Sequence, residues 1–399
     1  MIANSDLILG EIFTFPDNVD TNHESVSDEE INKKYKKREI RIITEQARYP
    51  LDSIPTMLDS KKYILDPEYK RRKRWGNTRK SRLIESLIMN VPIPPIFLYE
   101  IEYSLYEVID GQQRLTTIYD FCKGKFFLEE LEYWQELEGR NYQNLPGQVR
   151  KILDRRYLSF IVLLQETAES LEEAEHIKKI VFQRLNSGGE ELTPQETRNA
   201  LYNGKFNQLC LKLSQNDYFR KMWKFPLQSE GEEKLLESES YRKMEDVELV
   251  LRFFAYRHLD KLKLPVDKFL DEYLKQANNF PDETIENLEK LFNETIELIY
   301  YILEDSAFIP PPPQGERNRK IPLKIVYDPI MQVFASKLPF KNELLKHKEA
   351  IKNEMYSDEK MLYVEEENNR FLFEGRYATK KALETRIEYF DKFLQSYIK

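Results

Sequence analysis

Between Tyr106 and Phe121 the chain changes its period without a connecting loop. Tyr106-Glu107-Val108-Ile109 alternates like a half-buried strand, Leu115 to Phe121 is spaced like a helix, and only Asp110-Gly111-Gln112-Gln113-Arg114 lies between. A strand that enters a helix so abruptly needs a tight turn, and Gly111 is the residue that permits one. Such a junction aims the unpaired N–H groups of the first helical turn, and the positive end of the helix dipole, at whatever lies beyond the strand. Local chemistry alone leaves two readings open: a phosphate-binding turn, or a capped strand-to-helix corner with a surface arginine. The Gly-x4-Gly-Lys-Ser/Thr pattern of a P-loop is absent.

The periods on either side give the fold class. Ser81 to Asn90 reads as a helix with Leu83, Ile84, Leu87 and Ile88 on one face, ended by Pro92-Ile93-Pro94-Pro95. Ile96 to Ile101 then reads as a buried strand with Tyr106 to Ile109 as its hairpin partner. A further strand is predicted at Tyr157 to Leu164, a helix at Leu171 to Leu185, and another at Pro194 to Leu213. Beyond these the pattern is helical: Val247, Val250, Leu251 and Phe254 mark one amphipathic face, Ile285 to Leu303 a second, and Leu383 to Leu394 a third. Loops are predicted at 228–240, at 309–322 around Pro310 to Pro313, and at Asn186-Ser187-Gly188-Gly189. The class is α+β, with a small mixed sheet in an N-terminal domain over 41–215 and an all-helical domain over 240–399.

Charge separates off the first forty residues. Residues 1–30 hold eight acidic residues and no lysine or arginine, so the rest of the chain balances at 61 acidic against 61 basic. Lys33-Lys34-Tyr35-Lys36-Lys37-Arg38 follows at once, and 1–40 is expected to be an acidic-then-basic, partly mobile segment. No apolar run approaches the roughly 20 residues that cross a bilayer. The start Met1-Ile2-Ala3-Asn4-Ser5-Asp6 lacks the basic beginning of a secretory signal. Cys122 and Cys210 are too few for a disulfide framework and sit in apolar helical contexts. Buried, reduced thiols in a cytoplasmic protein are the expectation.

Each side chain of the turn has a chemical use. Arg114 offers a planar fork for phosphate oxygens. Gln112 and Gln113 can hydrogen-bond a base, a sugar or a phosphate without adding charge. Asp110 can hold a metal, position a water or cap the helix. The hydroxyls of Thr116 and Thr117 follow in the next turn. Upstream, eight of the thirteen residues from Lys70 to Arg82 are basic, with Tyr69 and Trp75 beside them. Basic groups next to stacking aromatics suit nucleic acid, so Arg72, Lys73, Arg74 and Arg79 are candidate DNA contacts; a solvated loop around a core tryptophan is the alternative.

Several ordered blocks together resemble the GmrSD restriction endonuclease N-terminal domain family. They are Pro67 to Trp75, Ser81 to Ser86 with Pro92 to Pro95, the Asp110-Gly-Gln-Gln-Arg114 run itself, Phe182 to Gly189, Leu192 to Ala200, and Asp246 to Phe254. The resemblance spans about 40–260, with Lys70 standing where the family usually has glutamine. It implies a ParB/sulfiredoxin-like core whose Gly-x-x-Arg turn grips nucleotide phosphates. It implies a nucleoside triphosphate ligand (GTP, ATP, CTP or UTP) held by Arg71, Gly111, Gln113, Thr116, Thr117 and Asn186, with Arg184 as the alternative to Asn186. It also implies Mg²⁺ on Glu85 and Asp110, and catalytic roles for Asp110, Gln112 and Arg114. Glu196 is read more simply as favouring a helix N-terminus.

The four histidines, His23, His176, His258 and His347, show neither zinc-finger nor His-Glu-x-x-His spacing. His347 alone does not make an HNH nuclease in the C-terminal third, so any cleavage is expected from a separate effector protein such as a nuclease or ATPase. Two functions follow. One is a slow Mg²⁺-dependent nucleoside triphosphatase acting as the sensor of a DNA restriction or anti-phage system. The other is a non-catalytic nucleotide- or DNA-binding module that recruits its effector. A structural protein that lost its ligand is a third, and the oligomeric state is left open.

Overall fold

The computed structural model describes residues 7–14, 27–36, 42–65, 75–168, 170–186, 192–262, 265–310, 321–355 and 379–398. They fall into two compact units, one over Asp20–Leu192 and one joining Met1–Val19 to Thr193–Lys399. The first unit is therefore inserted, in sequence, into the second. No helix among the described residues is long and apolar enough to cross a membrane.

The inserted unit is α+β. A nine-residue helix, α1 (Asp28–Lys36), precedes a five-stranded mixed sheet and its helices: β1 (Thr44–Pro50), α2 (Ile54–Asp59), β2 (Tyr63–Ile64), α3 (Asn77–Met89), β3 (Ile96–Glu102), β4 (Leu105–Asp110), α4 (Gln112–Cys122), α5 (Gly147–Asp154), β5 (Tyr157–Leu163) and α6 (Leu171–Asn186). The strand order is β1-β5-β3-β4-β2. The hairpin β3–β4 and the pair β1–β5 are antiparallel; β3–β5 and β2–β4 are parallel. One face carries Leu98, Val108, Leu158 and Phe160 into a core with Leu83, Ile84 and Leu87 of α3, and with Leu115, Ile118 and Phe121 of α4. On α6, Ala174, Ile177 and Phe182 are buried, and Lys178 pairs with Glu107 of β4 (2.5 Å) and lies over the ring of Tyr99 of β3 (4.6 Å).

The helix predicted from Ser81 starts four residues earlier, and it ends on Asn90 in the left-handed conformation at φ 62°. The strands β1 and β2 had no sequence expectation. Thr44 to Pro50 has no clean alternation, and its first three residues, Thr44, Glu45 and Gln46, are exposed on both faces of the strand.

The second unit is helical, with α7 (Pro194–Leu201), α8 (Lys205–Leu213), α9 (Asp217–Trp223), α10 (Glu245–Ala255), α11 (Val266–Ala277), α12 (Asp282–Leu303), α13 (Lys324–Ser336) and α14 (Lys380–Gln395) as its longer helices. The single helix expected over Pro194 to Leu213 is two, broken at Tyr202 to Gly204, and both belong to this helical unit rather than to the sheet unit. The 228–240 loop is instead a run of short helices, Gln228–Glu230, Glu232–Glu237 and Glu239–Arg242. Its glutamates favour helical first turns, which explains the difference. The proline-rich run at 311–320 and the Gly188-Gly189 turn lie outside the described residues.

Part of the acidic head is structural. Phe13 is fully buried against Phe269 and Tyr273, and Glu11 is buried beside Arg257 (3.0 Å) and His258 (3.2 Å). Thr284 donates to the Leu9 carbonyl (2.8 Å), and Gln276 bonds both backbone groups of Thr14. The mobile part of 1–40 is expected at roughly 15–30, so the order of 7–14 lies beside that reading and does not test it. A single buried carboxylate and one phenylalanine inside an acidic stretch leave no period to detect. The part of that reading that concerns 15–26 lies outside the described residues.

Candidate functional site

The corner from β4 to α4 is built by three local devices. Phe97 pairs with Asp110 and Leu98 with Val108, which leaves Ile109 as one extra residue on β4. A bulge of this kind bends a strand end and re-aims its last side chain. Gly111 follows at φ 94°. A Cβ there would lie 2.4 Å from Cδ1 of Ile96, so glycine is required both for its backbone angle and for its closeness to β3. Helix α4 then begins with no side-chain hydrogen bond from its N-cap.

Arg114 folds back across this corner. It donates from Nη1 to the Pro94 carbonyl (2.8 Å) and from Nη2 to Oδ2 of Asp110 (2.6 Å). The Val91-Pro92-Ile93-Pro94-Pro95 passage suits the first bond, because its prolines have no N–H with which to form a ladder and their carbonyls stay available. Arg114 is 9% exposed, and its side chain gives two of five N–H groups to the described residues. Burial draws its pKa below the ordinary arginine value, while the Asp110 charge and hydrogen bond oppose the fall. Oδ1 of Asp110 has no hydrogen-bond partner among the described residues.

The other predicted residues divide clearly. Gln113 accepts from the Trp75 N–H (3.3 Å), and the Arg79 guanidinium lies 4.7 Å over the Trp75 ring, so Trp75 and Arg79 join the corner. Thr116 is half-buried on the next turn. Gln112 is 4% exposed, so its side chain sits within the fold at the start of α4. Thr117 is fully buried and donates to the Gln113 carbonyl one turn back (2.7 Å), so its hydroxyl serves the helix rather than a ligand.

Glu85 differs most from its expected role. Both carboxylate oxygens are inside the protein and accept from the backbone N–H groups of Glu132 (3.2 Å), Tyr133 (2.7 Å) and Trp134 (2.8 Å). Oxygens committed in this way hold a loop, not a cation. Among the described residues no three His, Cys, Asp or Glu gather as a metal site. Arg71, Arg72, Lys73 and Arg74 lie outside the described residues. Asn186 is the last residue of α6.

The second motif block has a different character. Thr193 and Glu196 cap α7 reciprocally: Thr193 Oγ1 accepts the Glu196 N–H (3.2 Å) and Glu196 Oε2 accepts the Thr193 N–H (2.8 Å). Arg198, 1% exposed, is held by Asp271 (2.8 Å), Asp267 (2.8 Å), Gln195 (3.2 Å) and Glu248 (3.5 Å). Asp246 receives the buried Arg220 (2.9 Å), and Arg252 pairs with Asp328. These charges assemble the helical unit.

Residues 54–203 match the family model of the GmrSD restriction endonuclease, N-terminal domain. Over this stretch the chain is similar to a GmrSD N-terminal domain. The match takes in the whole β4–α4 corner and runs past Leu192 through α7, so the capping box and Arg198 lie inside the family's bounds. No curated protein and no solved structure matches the chain. Sequence reasoning found the corner but missed Trp75 as its partner through Gln113. That contact is made by the Trp75 backbone N–H, which no residue type announces in the sequence.

Proposed function

We propose that the GmrSD-like domain of this chain binds the phosphates of a nucleoside triphosphate at the Asp110–Arg114 corner, and that the protein is the sensing and regulatory component of a DNA restriction or anti-phage system. The observation that carries the reading is the uncapped start of α4 beside a buried arginine with N–H groups to spare. An uncapped helix start offers backbone donors to an anion, and a fixed guanidinium fork adds charge and geometry. Gln113, Thr116 and the Arg79-covered Trp75 would border the ligand, and Arg71 is the family-box arginine that would close over it.

A triphosphate next to Asp110 needs its charge offset. Mg²⁺ supplies that neutralisation and takes most of its ligands from phosphates and water. Asp110, whose Oδ1 has no hydrogen-bond partner among the described residues, is the carboxylate that would hold it. Hydrolysis, the first of the two functions, would rest on Asp110, Gln112 and Arg114. An effector supplied by another chain, and DNA contacts through Arg79 and the basic stretch before it, complete the reading.

The test is calorimetric titration of the full chain with GTP, ATP, CTP and UTP in Mg²⁺, followed by a phosphate-release assay. Binding of at least one nucleotide, weakened in Arg114→Lys, which keeps the charge but loses the fork, is the expected result. Phosphate release lost in that variant identifies an enzyme, and tight binding without release identifies a recruiting module. Absence of binding by all four nucleotides overturns both.

A further inference from the structure

The carboxylate of Glu85 is spent on presenting a surface. It accepts three successive backbone N–H groups, and its neighbour Ser81 accepts a fourth, from Glu129 (3.0 Å). Leu128, Leu131 and Leu137 are sunk in the core of the sheet unit, and Glu138 closes the loop by accepting from the Leu131 N–H (2.9 Å). What this frame holds outward is apolar: Tyr133 is 71% exposed, Trp134 40% and Phe127 55%. A chain that only needed to connect α4 to α5 would not fix two large aromatic side chains in water on a rigid loop. Exposed tyrosine and tryptophan held in place beforehand are the anchors from which interfaces draw most of their energy, because little entropy is left to lose on binding.

Charge selects the occupant. Phe127 to Glu138 contains five glutamates and no lysine or arginine; with Glu132 paired to Arg82 (3.0 Å) and Glu138 spent on the Leu131 N–H, the exposed Glu129, Glu130 and Glu136 carry its outward negative charge. Such a surface repels the phosphates of DNA. It favours cations, which aromatic faces attract through their quadrupole and glutamates through their charge. We infer that the Phe127–Glu138 loop is a docking surface for a cationic, partly apolar segment of a partner protein. The inference stands apart from the nucleotide reading, since no residue of the β4–α4 corner takes part.

The experiment uses the full chain and three defined probes: a peptide alternating arginine with leucine, the same peptide with glutamate for arginine, and a short DNA duplex. Binding is followed by calorimetry for the protein and for its Tyr133→Ala/Trp134→Ala double variant, and the melting temperature of each is recorded so that lost docking is told apart from lost folding. The arginine–leucine peptide should bind and should lose about tenfold in affinity in the double variant, the scale of one interface anchor. Equal binding to both proteins, no binding of that peptide, or a preference for the glutamate peptide or for the duplex overturns the assignment.

Discussion

Two helix starts in this chain carry a motif arginine, and they are built in opposite ways. At α4 no side chain caps the first turn, and Arg114 gives two hydrogen bonds to the described residues. At α7 a reciprocal Thr193–Glu196 box caps the first turn, and Arg198 is surrounded by three carboxylates and an amide. Both arginines are buried and both belong to the family's bounds. A buried guanidinium that has all its acceptors is a fastener. One that keeps donors in reserve beside an uncapped helix is what the proposed phosphate site requires. The difference lies in saturation, not in the motif.

The sharpest way to break this contrast is Arg198→Ala. It would leave Asp267, Asp271 and Glu248 facing one another around a buried hole, and removing one partner of a buried ion pair costs about 3–5 kcal/mol. Asp267 is well exposed, so the lower end is expected. The melting temperature should fall while nucleotide affinity of the remaining folded protein stays unchanged. An unaltered melt would show that the cage contributes nothing. Arg114→Ala comes next. It removes two bonds, one of them to a charge, and should lower stability by about 1.5–3 kcal/mol. Its distinguishing result is a loss of nucleotide binding of at least about tenfold, read by titration. If both variants lose stability but neither loses nucleotide, the two helix starts are alike.

This contrast also marks what the sequence could convey. The strand, the glycine and the helix around Asp110 were legible because each rests on local chemistry that a short run spells out. The α+β order of the described elements was legible for the same reason. Glu85 was misread because a lone glutamate on a helix looks the same whether it faces a metal, water or three backbone amides, and those amides lie 47 to 49 residues away. Glu11 was lost in an acidic run for a like reason, since its partners Arg257 and His258 are about 246 residues on. Arg198 could be placed in a motif but not in a cage, because the aspartates that hold it come from α11, far along the chain. Long-range charge pairing carries no period.

A third prediction asks whether saturation is general in the helical unit. Burial pushes the Glu11 carboxyl up, but hydrogen bonds and charge from His258 and Arg257 outweigh it, so its pKa lies below the ordinary value. A carboxylate with a lowered native pKa adds stability that is complete above its unfolded pKa, about 4.5, and is lost as pH falls through the native value. Glu11→Gln should therefore cost roughly 1–1.5 kcal/mol at neutral pH, the gap between a charge-assisted and a neutral hydrogen bond. The difference in melting temperature from the parent should close as the pH drops below about 4.5. A difference that stays constant into acid would mean that the charge on Glu11 is not what holds the segment.

The smallest effect is the most discriminating for the two helix starts. Thr193→Ala removes the hydroxyl that accepts from Glu196 N–H and should cost about 1 kcal/mol. Serine at the same place should restore it. The loss belongs to folding alone, so nucleotide affinity should match the parent's. At α4 the same logic runs in reverse: Gly111 cannot be given a capping side chain, because its φ of 94° and the 2.4 Å approach to Ile96 both forbid one. The corner must therefore leave its first-turn N–H groups to something other than its own N-cap. If Thr193→Ala weakened nucleotide binding as much as Arg114→Ala does, a cap would be acting as a ligand site, and the division between fastener and proposed phosphate site would have to be abandoned.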